Sequence, residues 1–142
     1  MALKIKDIMT KNVKCVHPQM TLGEVGDLFS KKKVSGFPVI DREDEKLIGI
    51  ISRADLLNNN GNGQDTKVRN AMIKKVYSIP EYGDISTAAR IMRNHKIHRL
   101  VVTKDKKVVG IVSSYDLLRL LEDRAFVPKN KPSKNKHKKE KL

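Results

Sequence analysis

The chain has 142 residues, 39% of them hydrophobic and only 4% aromatic, and carries a formal charge of +14. That length is enough for one compact domain with an aliphatic core, and no apolar run approaches the ~20 residues of a membrane span. The lone Cys15 excludes an internal disulfide framework or a Cys-rich zinc site, and Met1 to Asp7 has no apolar stretch that would make a secretory signal. A cytoplasmic protein is therefore expected.

In chain order, an extended piece at Val13 to Val16 is expected first. Thr21 then caps a helix with Glu24 three residues on, a capping-box spacing, and Leu22, Val25, Leu28 and Phe29 mark its apolar face. Lys31, Lys32 and Lys33 fall at its end, where the helix dipole favours cations. Phe37 to Ile40 and Leu47 to Ile51 read as a half-buried hairpin around the charged turn Asp41 to Lys46. Ser52 starts a short second helix through Leu56 and Leu57. The connector Asn58 to Gln64 is polar and punctuated by glycine, so neither helix nor buried strand is expected there.

The second half repeats the first. At an offset of 63, Met9 matches Met72, Val13 matches Val76, Phe29 matches Met92, and Val39 matches Val102. At an offset of 61, Gly49-Ile-Ile-Ser52 and Asp55 match Gly110-Ile-Val-Ser113 and Asp116, so one turn is two residues shorter. The second unit therefore has an extended piece at Val76 to Ile79 and a helix capped by Asp84. Strands at Leu100 to Thr103 and Val108 to Val112 follow, then a helix from near Ser113 carrying Leu117, Leu118, Leu120 and Leu121. The fold class is α/β (α+β), with β-α-β-β-α occurring twice. Each unit is marginal alone, so the two should pack face to face about a pseudo-twofold axis and leave two crevices between them. The boundaries are 1–60, a linker at 61–67, 68–124, and a lysine-rich tail at 125–142.

The last fifteen residues, Pro128 to Leu142, hold seven lysines and one glutamate, which is +6 of the total charge. With almost nothing to bury, they should be disordered. A solvated tail is a sufficient reading. The alternative is an electrostatic arm for nucleic acid, acidic lipid or an acidic protein.

Two features can carry chemistry. Ser52 with Asp55, and Ser113 with Asp116, each place a serine where strand becomes helix and an acid one turn in. This is a helix N-cap at the least. The same geometry offers N–H groups to a phosphate and a carboxylate to ribose hydroxyls. His98-Arg99, before the strand, is either a polar strand entry or a cation and a pH-sensitive donor facing an anion. The matched Ser35-Gly36 carries no charge, so if the family resemblance drawn next holds, the crevices are unequal and phosphate binding should be biased by His98 and Arg99. His95 and His98 lack a carboxylate to complete a metal set, and no nucleophile, base and orienting group come together, so catalysis is not expected.

The segments Asp7-Ile-Met-Thr10, Val34-Ser-Gly-Phe-Pro-Val-Ile-Asp41 and the two Gly-h-h-Ser-x-x-Asp runs (h apolar, x any residue) resemble the CBS-domain family over about Ile5 to Glu122. That resemblance implies a Bateman module whose clefts bind AMP, ADP, ATP or S-adenosylmethionine as regulatory ligand, with no cofactor. It implies ribose contacts at Asp55 and Asp116 and phosphate contacts at Ser52 and Ser113. Ile97-His-Arg-Leu-Val-Val102 is similar to the γ subunit of AMP-activated kinase, which implies that His98 and Arg99 face phosphate. The base is implied to sit by Val13, Cys15, Val34, Ser78 and Ile97. A homodimer with an effector protein as partner is implied too. The rival reading is a nucleic-acid-associated dimeric scaffold anchored by the tail.

Overall fold

The computed structural model describes residues 3–58 and 63–124; the tail from 125 onward lies outside the described residues. In order, the elements are α1 (Ile5–Ile8), α2 (Leu22–Lys31), β1 (Gly36–Ile40), β2 (Leu47–Ser52) and α3 (Arg53–Asn58). After a 3-10 turn at Gly63–Asp65 come α4 (Val68–Ala71), β3 (Ser78–Pro80), α5 (Ile85–His95), β4 (Arg99–Lys104), β5 (Lys107–Ser113) and α6 (Ser114–Arg124). No described helix is long and apolar enough to cross a membrane. The polar connector is less irregular than its composition suggests, because Asn58 closes α3 and Gly63 opens the 3-10 turn.

Each half is an antiparallel hairpin backed by two helices. β1 pairs β2 with Phe37 opposite Ile51, and β4 pairs β5 with Leu100 opposite Val112. A register shift falls at the matched places, Val39/Ile40 and Val102/Thr103. The shorter turn of the second hairpin is a two-residue loop, Asp105-Lys106, in which both residues have positive φ (54° and 68°). Such a backbone twist suits tight hairpins. In the first hairpin Asp41 Oδ1 instead accepts from the N–H groups of Glu43 and Asp44, which orders a longer turn.

The leading strands are where the expectation is corrected. In the second unit only Ser78–Pro80 forms strand, parallel to β4, and not Val76 to Ile79. In the first unit Val13 to Val16 shrinks to a single bridge at Val16. There the Val16 N–H donates to Pro38 and the Val16 carbonyl accepts from Ile40. Asn12, with φ of 56°, bends the preceding backbone away from an extended line.

Helix starts also differ. The capping box at α2 is present as expected, since Thr21 Oγ1 accepts from Glu24 N at 3.2 Å and Glu24 Oε1 accepts from Thr21 N at 2.9 Å. Asp84 stands at the N-cap of α5, but its side chain caps nothing. Its carboxylate instead accepts from Lys4 Nζ at 2.8 Å. A nearby ammonium outcompetes the backbone donors for one exposed carboxylate.

Two cores form, and each borrows from the other repeat. Val16, Leu22, Val25, Phe29, Phe37, Val39 and Ile51 make the first core, which is completed by Val68. Ile79, Ala88, Met92, Leu100, Val102 and Val112 make the second, which is completed by Ile5. The segment ahead of each repeat therefore packs on the other unit. Thr10 pairs with Ile111 and Ile73 pairs with Ile50. The motif glycines permit this: a Cβ on Gly49 would stand 2.6 Å from Met72 Sδ, and one on Gly110 would stand 2.5 Å from Met9 Sδ. Contacts that reciprocate in this way are those of a pseudo-twofold pair.

Candidate functional site

Two clefts lie where the halves meet, at pseudo-equivalent positions. The first holds about 570 Å³ and is lined by Val13, Val34, Ser35, Phe37, Ile111 and Ser113, with five cationic side chains around them. The second holds about 240 Å³ and is lined by Ile50, Ser52, Asp55, Val76, Tyr77, Ile97, His98 and Arg99. At the repeat offsets Val34 corresponds to Ile97 and Ser113 to Ser52, so the two clefts are built to one plan.

In the second cleft the expected residues come together. Asp55 Oδ2 accepts from Ser52 N at 2.8 Å and from Ser52 Oγ at 3.0 Å. This fixes both side chains at the point where β2 becomes α3. His98, exposed, and Arg99, half-buried, enter from the start of β4. Tyr77 stacks on His95 with ring centroids 4.0 Å apart and adds a ring to the wall. Sequence reasoning missed Tyr77; its signal was the aromatic at the position matched to Lys14.

In the first cleft the plan is altered. Ser113 lines the cavity, but Asp116 does not. Asp116 is only 7% exposed. Its Oδ2 accepts from Ser113 N at 2.8 Å and Ser113 Oγ at 3.1 Å, and Oδ1 accepts from Arg119 at 3.3 Å. The Asp116 side chain thus borders a separate depression of about 500 Å³ beside Asp7, Arg119 and Asp123. Asp116 makes the same two bonds to Ser113 that Asp55 makes to Ser52, and α6 adds Arg119 one turn on, within 3.3 Å of Asp116 Oδ1. The matched residue of the first unit is Asn58.

Neither Cys15 nor Ser78, the other two residues of the implied base site, lies in the wall of either cleft. Cys15 is half-buried behind Val13, and loss of solvent pushes its thiol pKa up, an effect Lys14 opposes and Glu45 adds to. Ser78 is exposed on the edge strand β3, beside Lys46, Lys74 and Lys106. Val13, Val34 and Ile97 do line clefts as expected.

Arg99 belongs to both clefts. It hydrogen-bonds Ser35 Oγ across the interface, and burial lowers its pKa. Most of the positive charge nonetheless lies at the first cleft. Lys14, Lys31, Lys32 and Lys33 all surround the first. The placement of the last three depends on how α2 ends. α5 ends on Lys96 in the left-handed region, whereas α2 stops a residue earlier on extended Lys32. Arg53 then clamps the exit: it donates to the carbonyls of Phe29 (2.9 Å), Val34 (3.1 Å) and Lys32 (3.3 Å), with its guanidinium 4.8 Å from the Phe29 ring centre. Ser114 stands at the matched place, so nothing in the sequence repeat pointed to this clamp. Among the described residues no group of His, Cys, Asp or Glu is arranged to hold a metal ion.

The CBS domain family matches residues 5–60 and 68–123. The chain belongs to the CBS domain family. It is 37% identical over 120 residues to protein MJ1232 of Methanocaldococcus jannaschii, an alignment that spans 84% of this chain and 40% of that one. The CBS domain pair of protein MJ0100, solved with 5′-methylthioadenosine and S-adenosyl-L-methionine, superposes with a TM-score of 0.78 at 27% identity, covering 87% of this chain and 99% of that one. CBSX2 in complex with AMP gives 0.77 at 27% identity, covering 87% and 98%. The CBS pair thus accounts for all the described secondary structure except the last residue of α6 and the 3-10 turn between the repeats.

Proposed function

We propose that this chain is a non-catalytic regulatory module that senses an adenosine-type ligand in the clefts between its repeats. The observation that carries the reading is the second cleft, where Ser52, Asp55, His98 and Arg99 converge beside the apolar Ile50 and Ile97. Asp55 is suited to ribose hydroxyls, Ser52 and Arg99 to a phosphate, and the apolar pair to a base. Two similar CBS pairs bound to adenosyl compounds support the ligand class. In the first cleft, Ser113 takes the part of Ser52, and Asp116 holds Ser113 in place.

Binding to one arrangement of the halves shifts its population, and the shift reaches a partner through the outer helices. Those helices are apolar on their outer side: Leu57 of α3 and Tyr115, Leu118 and Leu121 of α6 are all more than half exposed. This supports a homodimer formed through α3 and α6, with an effector protein as a further partner. A cytoplasmic location fits a nucleotide sensor.

Thermal denaturation with AMP, ADP, ATP and S-adenosylmethionine in excess tests the reading. A ligand that binds the folded chain raises the melting temperature by mass action. A flat response to all four, with no heat of binding in calorimetry, overturns it. Nucleic-acid anchoring through Pro128 to Leu142 predicts instead a salt-sensitive RNA or DNA affinity that disappears when the tail is deleted.

A further inference from the structure

We infer that the two clefts divide their ligands by charge, and that the first is a site for a phosphate chain, as in a nucleoside di- or triphosphate. This rests on the reading of the clefts as adenosine sites and adds what each selects. Lys14, Lys31, Lys32, Lys33 and Arg99 line the first cleft and no acidic residue does, a formal +5. The second is lined by Arg99 and Asp55, a formal balance of zero with His98 neutral. None of the five cations has a carboxylate within ion-pair distance among the described residues.

The helix dipole accounts for Lys31, which ends α2, and for Lys32 at its C-cap. Lys33 lies past the cap, and Lys14 comes from a different segment altogether. Arg53 ties the Lys31–Val34 stretch to the end of the helix through the carbonyls of Phe29, Lys32 and Val34, so these lysines are presented by a fixed loop. Like charges gathered around one concavity repel each other, and a polyanion relieves that repulsion. Lysine ammonium groups suit the distributed charge of several phosphates, and Arg99 suits bidentate contact with one. The cavity of about 570 Å³ is also the roomier of the two. The same charges repel the sulfonium of S-adenosylmethionine, and 5′-methylthioadenosine, having no charge, gains nothing from them.

Calorimetry on the full chain with ATP, AMP and 5′-methylthioadenosine, at low and at high salt, tests the inference. An Asp55→Ala variant isolates the first cleft. ATP is expected to bind it tightest and to weaken most with salt. Replacing Lys31, Lys32 and Lys33 together by Gln should lower ATP affinity by about tenfold or more and leave 5′-methylthioadenosine within about twofold. A melting scan checks that this variant folds. Arg53→Gln, which alters no lining charge, should weaken ATP in the same direction by releasing the loop. The inference is overturned if ATP binds no tighter than 5′-methylthioadenosine at low salt, or if the triple variant leaves ATP unchanged or weakens all three ligands alike. Binding of AMP or 5′-methylthioadenosine without any gain for ATP overturns the charge division alone. Binding of none of the three by the unaltered chain overturns the adenosine reading along with it.

Discussion

The two clefts are built from matched residues and are not alike. In both, an aspartate accepts from the serine that lines the wall; Asp116 also accepts from Arg119, whose matched residue is Asn58. One is neutral and narrow, the other wide and lysine-rich. A duplication copies the scaffold, because hairpin pairing and apolar faces tolerate only similar residues. It leaves the lining free to diverge, because side chains facing a cavity are not held by packing. Arg99 is the one cation common to both, and its matched residue, Gly36, cannot return the favour.

The comparison can be broken most severely at the glycines. Gly110→Ala would drive a methyl into Met9 Sδ and to within 2.8 Å of the Thr10 carbonyl, whereas Gly49→Ala meets Met72 Sδ and the Ile73 carbonyl at 3.1 Å. Both should destabilise by about 1–3 kcal/mol, with Gly110→Ala the worse, as read by urea denaturation. Equal losses would mean that the two crossings relax alike. Next in size is the pair of aspartates. Asp116→Ala strips a buried carboxylate from the Ser113 N–H and from Arg119 and should cost about 2 kcal/mol. Asp55→Ala, at a more open position, should cost about 1 kcal/mol while doing more harm to ligand binding in the second cleft.

Arg99→Gln sharpens the comparison from the other side. Losing a guanidinium that lines both clefts should weaken phosphate-bearing ligands at each by about tenfold, measured by calorimetry with and without the Asp55→Ala change. Loss at only one cleft would show that the residue serves that one alone. Smaller still is the pH response of the Lys4 to Asp84 pair, which joins the N-terminal segment to the second unit. The hydrogen bond and charge of Lys4 lower the Asp84 pKa. A depressed folded-state pKa contributes stability above the ordinary carboxylate pKa, and that contribution is lost as pH falls through the lowered value. The stability difference between the unaltered chain and Lys4→Met should therefore be small at neutral pH and vanish on acidification. Last, the Cys15 thiol, its pKa raised by burial, should react with iodoacetamide more slowly at neutral pH than free cysteine does.

Much of the scaffold was legible beforehand. Thr21 and Glu24 have the spacing of a capping box and form one, and both hairpins lie within a residue of their apolar runs. These are local matters, decided by residues three or four apart or by alternation along a strand. The readings that failed involve partners far away in the chain. Asp84 has the right side chain to cap α5, yet Lys4 claims it from 80 residues away. Val13 to Val16 is as apolar as a strand, but only Val16 finds a paired neighbour.

The site divides the same way. That Ser52, Asp55, Ser113 and Asp116 sit where strand becomes helix follows from the repeated motif, since an apolar run, a serine and an acid one turn later can fold locally in few other ways. What else reaches those acids could not follow from it. Arg119 bonds Asp116 and has no charged counterpart in the first unit, and Arg53 holds the end of α2 from which three lysines leave. Repetition along the chain thus established the family, the paired halves and the motif positions. Cleft charge and cleft shape arose only on folding, because they depend on how segments separated by tens of residues are packed against each other.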